Sequence, residues 1–80
     1  MRIQVRLYAS LQRFMPAERD GSSFHDMEVD EGVTVGEVLH ALHVPAETVK
    51  IMFLNGIHAQ TDQTLKEGDR LGVFPPVAGG

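Results

Sequence analysis

Eighty residues allow one domain at most, and a chain of this size buries only about 60% of the surface that its unfolded form exposes. There is no cysteine, so disulfides, Cys-ligated zinc, iron–sulfur ligation and thiol catalysis are excluded. The net charge of −4 argues against a nucleic-acid partner bound by phosphate neutralisation and suits a basic protein surface instead.

No apolar run approaches the ~20 residues of a membrane-spanning helix. The opening Met1-Arg2-Ile3-Gln4-Val5-Arg6 alternates polar with apolar residues, unlike a secretory leader. A cytoplasmic protein with no membrane partner is the expectation. The same alternation predicts a half-buried strand, with Ile3, Val5 and Leu7 on one face and Arg2, Gln4 and Arg6 on the other. Residues 9–15 predict a short helix, because Leu11, Phe14 and Met15 fall at i, i+3 and i+4. Pro16 limits its extension. Residues 17–23 are polar, with Asp20-Gly21-Ser22-Ser23 as a turn signal. A second strand is expected over 24–30, with His25, Met27 and Val29 on one face and Asp26, Glu28 and Asp30 towards water.

The clearest element is a helix after Gly32. Thr34 is a good N-cap and Glu37 stands three residues later, the pattern of a capping box. Val33 and Val38 suit a hydrophobic staple around it. Val35, Val38, Leu39 and Leu42 then form one apolar stripe, and Pro45 marks a point by which the helix has ended. Ile51-Met52-Phe53-Leu54 is a continuous apolar run followed by Asn55-Gly56, a strong two-residue hairpin signal. A returning strand is expected over 57–60. Lys66-Glu67-Gly68-Asp69 predicts another turn. Arg70 to Phe74 predicts the last strand, with Leu71 and Val73 inward, stopped by Pro75-Pro76. Strands arranged around one amphipathic helix predict an α+β fold, with four to five strands in one sheet and the main helix across one face. The pattern fits a β-grasp sheet; it also allows a ferredoxin-like sheet with a weak second helix.

The chain divides into a domain over 1–75 and a flexible tail over 76–80. The tail, Pro76-Val77-Ala78-Gly79-Gly80, extends roughly 17 Å at ~3.3–3.6 Å per residue. Prolines stiffen its root, and the two glycines free its tip and remove every side chain from the end. Such a shape suits threading a carboxylate into a narrow active site on another protein. A carboxylate is a poor acyl electrophile until ATP converts it to an acyl-adenylate. A sulfur nucleophile or a lysine amine can then displace AMP.

Leu65-Lys66-Glu67-Gly68-Asp69-Arg70-Leu71-Gly72-Val73-Phe74-Pro75-Pro76-Val77-Ala78-Gly79-Gly80 closely resembles the C-terminal end of the MoaD/ThiS family of ubiquitin-like sulfur carriers. The Phe-Pro-Pro-Val-x-Gly-Gly ending is similar to the molybdopterin synthase small subunits in particular. The resemblance extends to Tyr8-Ala9-Ser10-Leu11, the Thr34-to-Leu42 helix and the Asn55-Gly56 turn. One departure is Gln12-Arg13, where many synthase small subunits carry an arginine followed by an acid. The resemblance implies a β-grasp fold with the first and last strands parallel at the sheet centre. It implies no bound cofactor and a covalent 1-thioglycine at Gly80, with Gly79 allowing close approach. It assigns Phe74, Pro75, Pro76, Val77, Ala78 and Gly79 to partner binding. The implied partners are an E1-like adenylating enzyme, a sulfur-donating enzyme and a MoaE-like large subunit of molybdopterin synthase. Sulfur carriage for thiamine, cysteine, tungsten cofactor or tRNA thiolation, lysine conjugation, and a non-covalent interaction module are the alternatives.

The remaining candidates have simpler accounts. His40 and His43 lie three residues apart on the helix, but no third metal ligand is evident. Asp62, Glu67 and Asp69 resemble a carboxylate cluster that turn chemistry explains. Arg2, Arg6, Arg13 and Arg19 read as a solvated face. The four methionines and four phenylalanines are expected in the core.

Overall fold

A computed structural model of the chain describes residues 1–15 and 24–76. Five strands form one sheet: β1 (Arg2–Leu7), β2 (His25–Glu28), β3 (Ile51–Leu54), β4 (Ile57–Ala59) and β5 (Arg70–Phe74). Their order is β2-β1-β5-β3-β4. β1 and β5 run parallel at the centre, with Val5 opposite Leu71 and Leu7 opposite Val73. The other three pairings are antiparallel. One α-helix, α1 (Val35–Ala41), supplies Val35, Val38 and Leu39 to a core shared with Ile3, Val5, Leu7, Leu71 and Val73. This is the β-grasp arrangement. The parallel pair at the centre of the sheet, with a single α-helix among the described residues, excludes the ferredoxin-like alternative.

The first turn of α1 accounts for each of its N–H groups, which no intrahelical acceptor can reach. Val35 N–H donates to the carbonyl of Gln63 at 3.0 Å, and Gly36 N–H to that of Thr61 at 2.8 Å. Glu37 N–H donates to Thr34 Oγ1 at 3.2 Å, while the Glu37 carboxylate accepts from Thr34 N–H at 2.9 Å. The capping box is therefore complete. Gly36 and Val35 also tie the helix to the loop after β4, which fixes its position over the sheet.

Several elements differ from the sequence expectation in instructive ways. Residues Ala9–Phe14 form a 3-10 helix instead of an α-helix. Met15 is extended, at φ −73° and ψ 152°, as a residue before proline prefers. Of the eight residues between Leu7 and that proline, Tyr8 and Met15 are extended, which leaves six for the helix. Leu11 and Met15 are buried as expected, and Phe14 is half-buried. β2 is shorter than 24–30, and β4 ends one residue before Gln60. A second 3-10 turn, Ala46–Thr48 after Pro45, has no counterpart in the sequence reading. The Asn55-Gly56 hairpin is as expected, with both residues at positive φ, 54° and 82°. The turn expected over 17–23 and the tail residues 77–80 lie outside the described residues.

Candidate functional site

The site is built around β5, because that strand leads into the tail. Asp69, the residue just before β5, is buried. One carboxylate oxygen accepts from Asn55 Nδ2 at 2.9 Å and the other from Lys66 N–H at 2.7 Å. Asn55 Oδ1 in turn accepts from Arg70 N–H at 2.9 Å. The β3–β4 hairpin turn and the turn before β5 are thereby locked together. Asp69 thus does the turn chemistry expected of it. Glu67 does likewise, accepting from Arg2 N–H at 3.0 Å.

At its far end β5 is held on both sides. Tyr8 N–H donates to the Val73 carbonyl at 3.0 Å, and Lys50 N–H to the Phe74 carbonyl at 2.8 Å. Pro75 and Pro76 follow with no N–H to offer. Phe74 is therefore the last strand residue, and the chain leaves the sheet there. Pro75 is half-buried and Pro76 exposed.

The solvent side of the sheet around this exit is aromatic. Strand alternation sends Leu71 and Val73 into the core, so Arg70, Gly72 and Phe74 face the other way. The Phe74 ring stacks on Tyr8 with centroids 4.1 Å apart and planes within 8°. Phe53 meets Phe74 edge-on at 5.8 Å, and His58 packs edge-on against Phe53 at 6.1 Å. Tyr8 lies close over Gly72, where an added Cβ would meet its ring at 3.3 Å. The Arg6 guanidinium sits 4.5 Å from the Tyr8 centroid, and that of Arg70 lies 5.5 Å from Phe24.

This corrects the expectation that the phenylalanines are core. None of the four is fully buried, and Phe53 and Phe74 lie on the face away from α1. Met15 and Met52 are buried; Met1 and Met27 pack at the core edge. The run Ile51-Met52-Phe53-Leu54 gives no clue on its own. In the sheet its burial alternates, with Met52 and Leu54 inward and Ile51 and Phe53 half-exposed. Tyr8 and Phe53 are thus neighbours of Phe74, with Arg6 over Tyr8, that sequence reasoning did not group with it. The signal was present in the even positions of the first strand and of β5, which share one face.

Of the residues assigned to the site, Phe74, Pro75 and Pro76 stand together at the end of β5. Val77, Ala78, Gly79 and Gly80 lie outside the described residues. His40, His43 and His58 are exposed. Among the described residues no three His, Asp or Glu side chains are grouped to hold a metal ion. Arg2 forms an exposed pair with Glu28 at 2.9 Å. Its guanidinium pKa is raised, first by that hydrogen bond and then by the charges of Glu28, Asp26 and Glu67. Among the described residues no helix is long and apolar enough to cross a membrane.

Across residues 1–79 the sequence matches the family described as Mut7-C ubiquitin. The chain belongs to that family. SAMP1 from Haloferax volcanii is 26% identical, with a TM-score of 0.73 and all of both chains covered. The HVO 2177 protein of Haloferax volcanii is also 26% identical, with a TM-score of 0.75, over 100% of this chain and 87% of that one. Subunit 1 and 2 of the molybdopterin-converting factor from Helicobacter pylori have been solved as a complex. A chain of that complex shares the fold at 20% identity and a TM-score of 0.62, with both chains fully covered. No curated protein matches the sequence significantly. The resemblance to the MoaD/ThiS group is borne out at the level of family and fold. The chain is thus a ubiquitin-like protein, similar in sequence and fold to a small archaeal modifier protein.

Proposed function

We propose that this protein is a sulfur carrier whose working group is the carboxylate of Gly80. The observation that carries the proposal is the way β5 ends. A central strand, bonded on both sides as far as Phe74, delivers its chain to two prolines that cannot continue the ladder. Beyond them the sequence is Val77-Ala78-Gly79-Gly80, with no side chain at its tip. Among the described residues no three His, Asp or Glu side chains are grouped to hold a metal ion, and the proposed chemistry asks for none.

The chemistry follows from the carboxylate. An E1-like partner brings ATP to Gly80. A carboxylate oxygen attacks the α-phosphorus, pyrophosphate leaves, and an acyl-adenylate forms. A sulfide-equivalent nucleophile from a sulfur-donating enzyme then attacks the acyl carbon. AMP departs, and a thiocarboxylate, the 1-thioglycine form of Gly80, remains. Gly79 keeps the approach open on both partners. The aromatic surface of Tyr8, Phe53 and Phe74, with Pro75 beside it, is the docking face that positions the tail. We place the reactions in the cytoplasm, where ATP is at hand.

Delivery of the sulfur to a molybdopterin precursor is the pathway we favour. The support is the Phe74-Pro75-Pro76-Val77-x-Gly-Gly ending and the Helicobacter pylori complex of subunit 1 with subunit 2, which sets a precedent for a MoaE-like partner. A second reading has its own support. The 26% identity to SAMP1, a small archaeal modifier protein, favours transfer of the same acyl-adenylate to a lysine amine. The intact mass of protein from its native host separates the two. One oxygen-to-sulfur exchange on the C-terminal residue supports the carrier. A covalent conjugate through Gly80 supports the modifier. Protein bearing neither, and forming no adenylate with ATP and its activating enzyme, refutes both and leaves a non-covalent interaction module.

A further inference from the structure

A groove of about 400 Å³ opens on the helical side of the fold, between α1, the segment after Pro45 and β3. Its volume falls within the range of ligand pockets, roughly 300–1,000 Å³. Leu39, Val44 and Met52 form its floor and the half-buried Val49 one wall, with His40 and Lys50 at the rim. It is distinct from the aromatic face, which lies on the opposite side of the sheet.

The charge around this groove is unlike that of the rest of the chain. The protein carries 11 acidic against 7 basic side chains. Three other concavities are each lined by carboxylates: Glu31 and Glu67 in one, Glu28 and Asp30 in the second, Asp30, Glu31 and Glu37 in the third. The groove beside α1 has no carboxylate in its lining. Among the described residues the one ion pair is Arg2–Glu28, so Lys50 has no acidic partner within 4.0 Å there. An acidic protein that keeps one apolar groove free of acids, with an ammonium at its edge that has no acidic partner among the described residues, matches a ligand that is apolar with an adjacent negative charge.

We propose that this groove binds a short segment of a partner protein in which aliphatic side chains are flanked by Asp or Glu. The aliphatic side chains cover Leu39, Val44 and Met52, and a flanking carboxylate pairs with Lys50. Because the groove and the aromatic face are on opposite sides, a partner held here leaves the tail and its docking face free. A carrier that must visit several enzymes could thus be tethered while its tail is handed on.

The test uses the full 80-residue chain, labelled with ¹⁵N, and a synthetic peptide Gly-Asp-Leu-Val-Leu-Glu-Gly with blocked ends. Saturable amide shifts centred on Leu39, Val44, Val49 and Lys50 are expected. Replacing both acids of the peptide by lysine should weaken binding, and Lys50→Glu should weaken it roughly two- to fivefold. Lys66→Glu, which changes the chain's other lysine, should leave it unaltered. The variants are exposed substitutions, and an unchanged spectrum away from the mutated site shows that each is folded. The proposal is overturned by no shift at millimolar peptide, by equal binding of the lysine peptide, or by shifts centred on Tyr8, Phe53 and Phe74. It is also overturned if truncation after Pro76 shifts the groove residues without peptide. That result would make the chain's own tail the occupant, in a second copy if the shifts depend on concentration.

Discussion

Replacing Phe74 by alanine tests whether the aromatic cluster at the tail exit is a structural unit. Half-burial of a phenylalanine ring contributes about 1 kcal/mol. The stack on Tyr8 at 4.1 Å and the edge contact with Phe53 at 5.8 Å each add ~0.5–1.5 kcal/mol. The sum is about 2–4 kcal/mol, a large share of the ~4–12 kcal/mol expected of a domain this size. Urea denaturation should show that loss, and the melting temperature should fall by roughly 8–30 °C. The sharper measurement is the double-mutant cycle with Tyr8→Ala. A coupling of ~0.5–1.5 kcal/mol is expected for this pair, and additivity within ~0.5 kcal/mol for Phe74→Ala with Thr34→Ala, which shares no partner with it. If the rings also dock the activating enzyme, Phe74→Ala should raise the concentration of carrier needed for half-maximal adenylation roughly tenfold. A stability loss below about 0.5 kcal/mol, or no coupling to Tyr8, would refute the reasoning.

Deleting Gly79-Gly80 should abolish adenylate and thiocarboxylate formation while leaving the circular dichroism spectrum and urea midpoint unchanged; retained sulfur transfer would exclude Gly80 as the carrier. Asp69→Ala removes the acceptors for Asn55 Nδ2 and Lys66 N–H inside a buried turn network. It should cost about 2–4 kcal/mol by urea denaturation, against much less for the exposed Asp62→Ala. Thr34→Ala opens the capping box and should cost about 1 kcal/mol, read from the same midpoint.

Local chemistry was legible where one residue type has one use. Thr34 with Glu37 could hardly serve anything but a helix start, and both capping bonds are present. Asn55-Gly56 asked for a two-residue hairpin and forms one. The alternation of Ile3, Val5 and Leu7 named the buried face of β1 correctly, and all three are fully buried. Pairing was less legible, because an alternating strand states which face is apolar and not which neighbour it takes. Ile51-Met52-Phe53-Leu54 shows the limit: four apolar residues in a row conceal which two meet the core. Only the register, Met52 opposite Val73 and Phe53 opposite Gly72, sends Phe53 outward. The tail's importance came from the family resemblance and not from periodicity, since a Pro-Pro followed by small residues carries no folding pattern to read.

The placement of β5 explains how one small domain can hold a fold and release an end. An edge strand leading into the tail would expose one row of backbone groups and fray readily, so tension or binding at the tail could unzip it. β5 instead lies between β1 and β3, and its Leu71 and Val73 have no exposed surface. Its start is pinned by the Asp69–Asn55 network and its end by Tyr8 and Lys50. The end of the sheet pairing is then set chemically. Phe74 makes the last ladder bond, and the two prolines after it have no hydrogen to make another. Without them the segment after Phe74 could pair further along β1 or β3 and draw the tail into the sheet. Prolines at this position, and glycines beyond it, keep a central strand of the sheet and the end proposed to react only a few residues apart without letting one become the other.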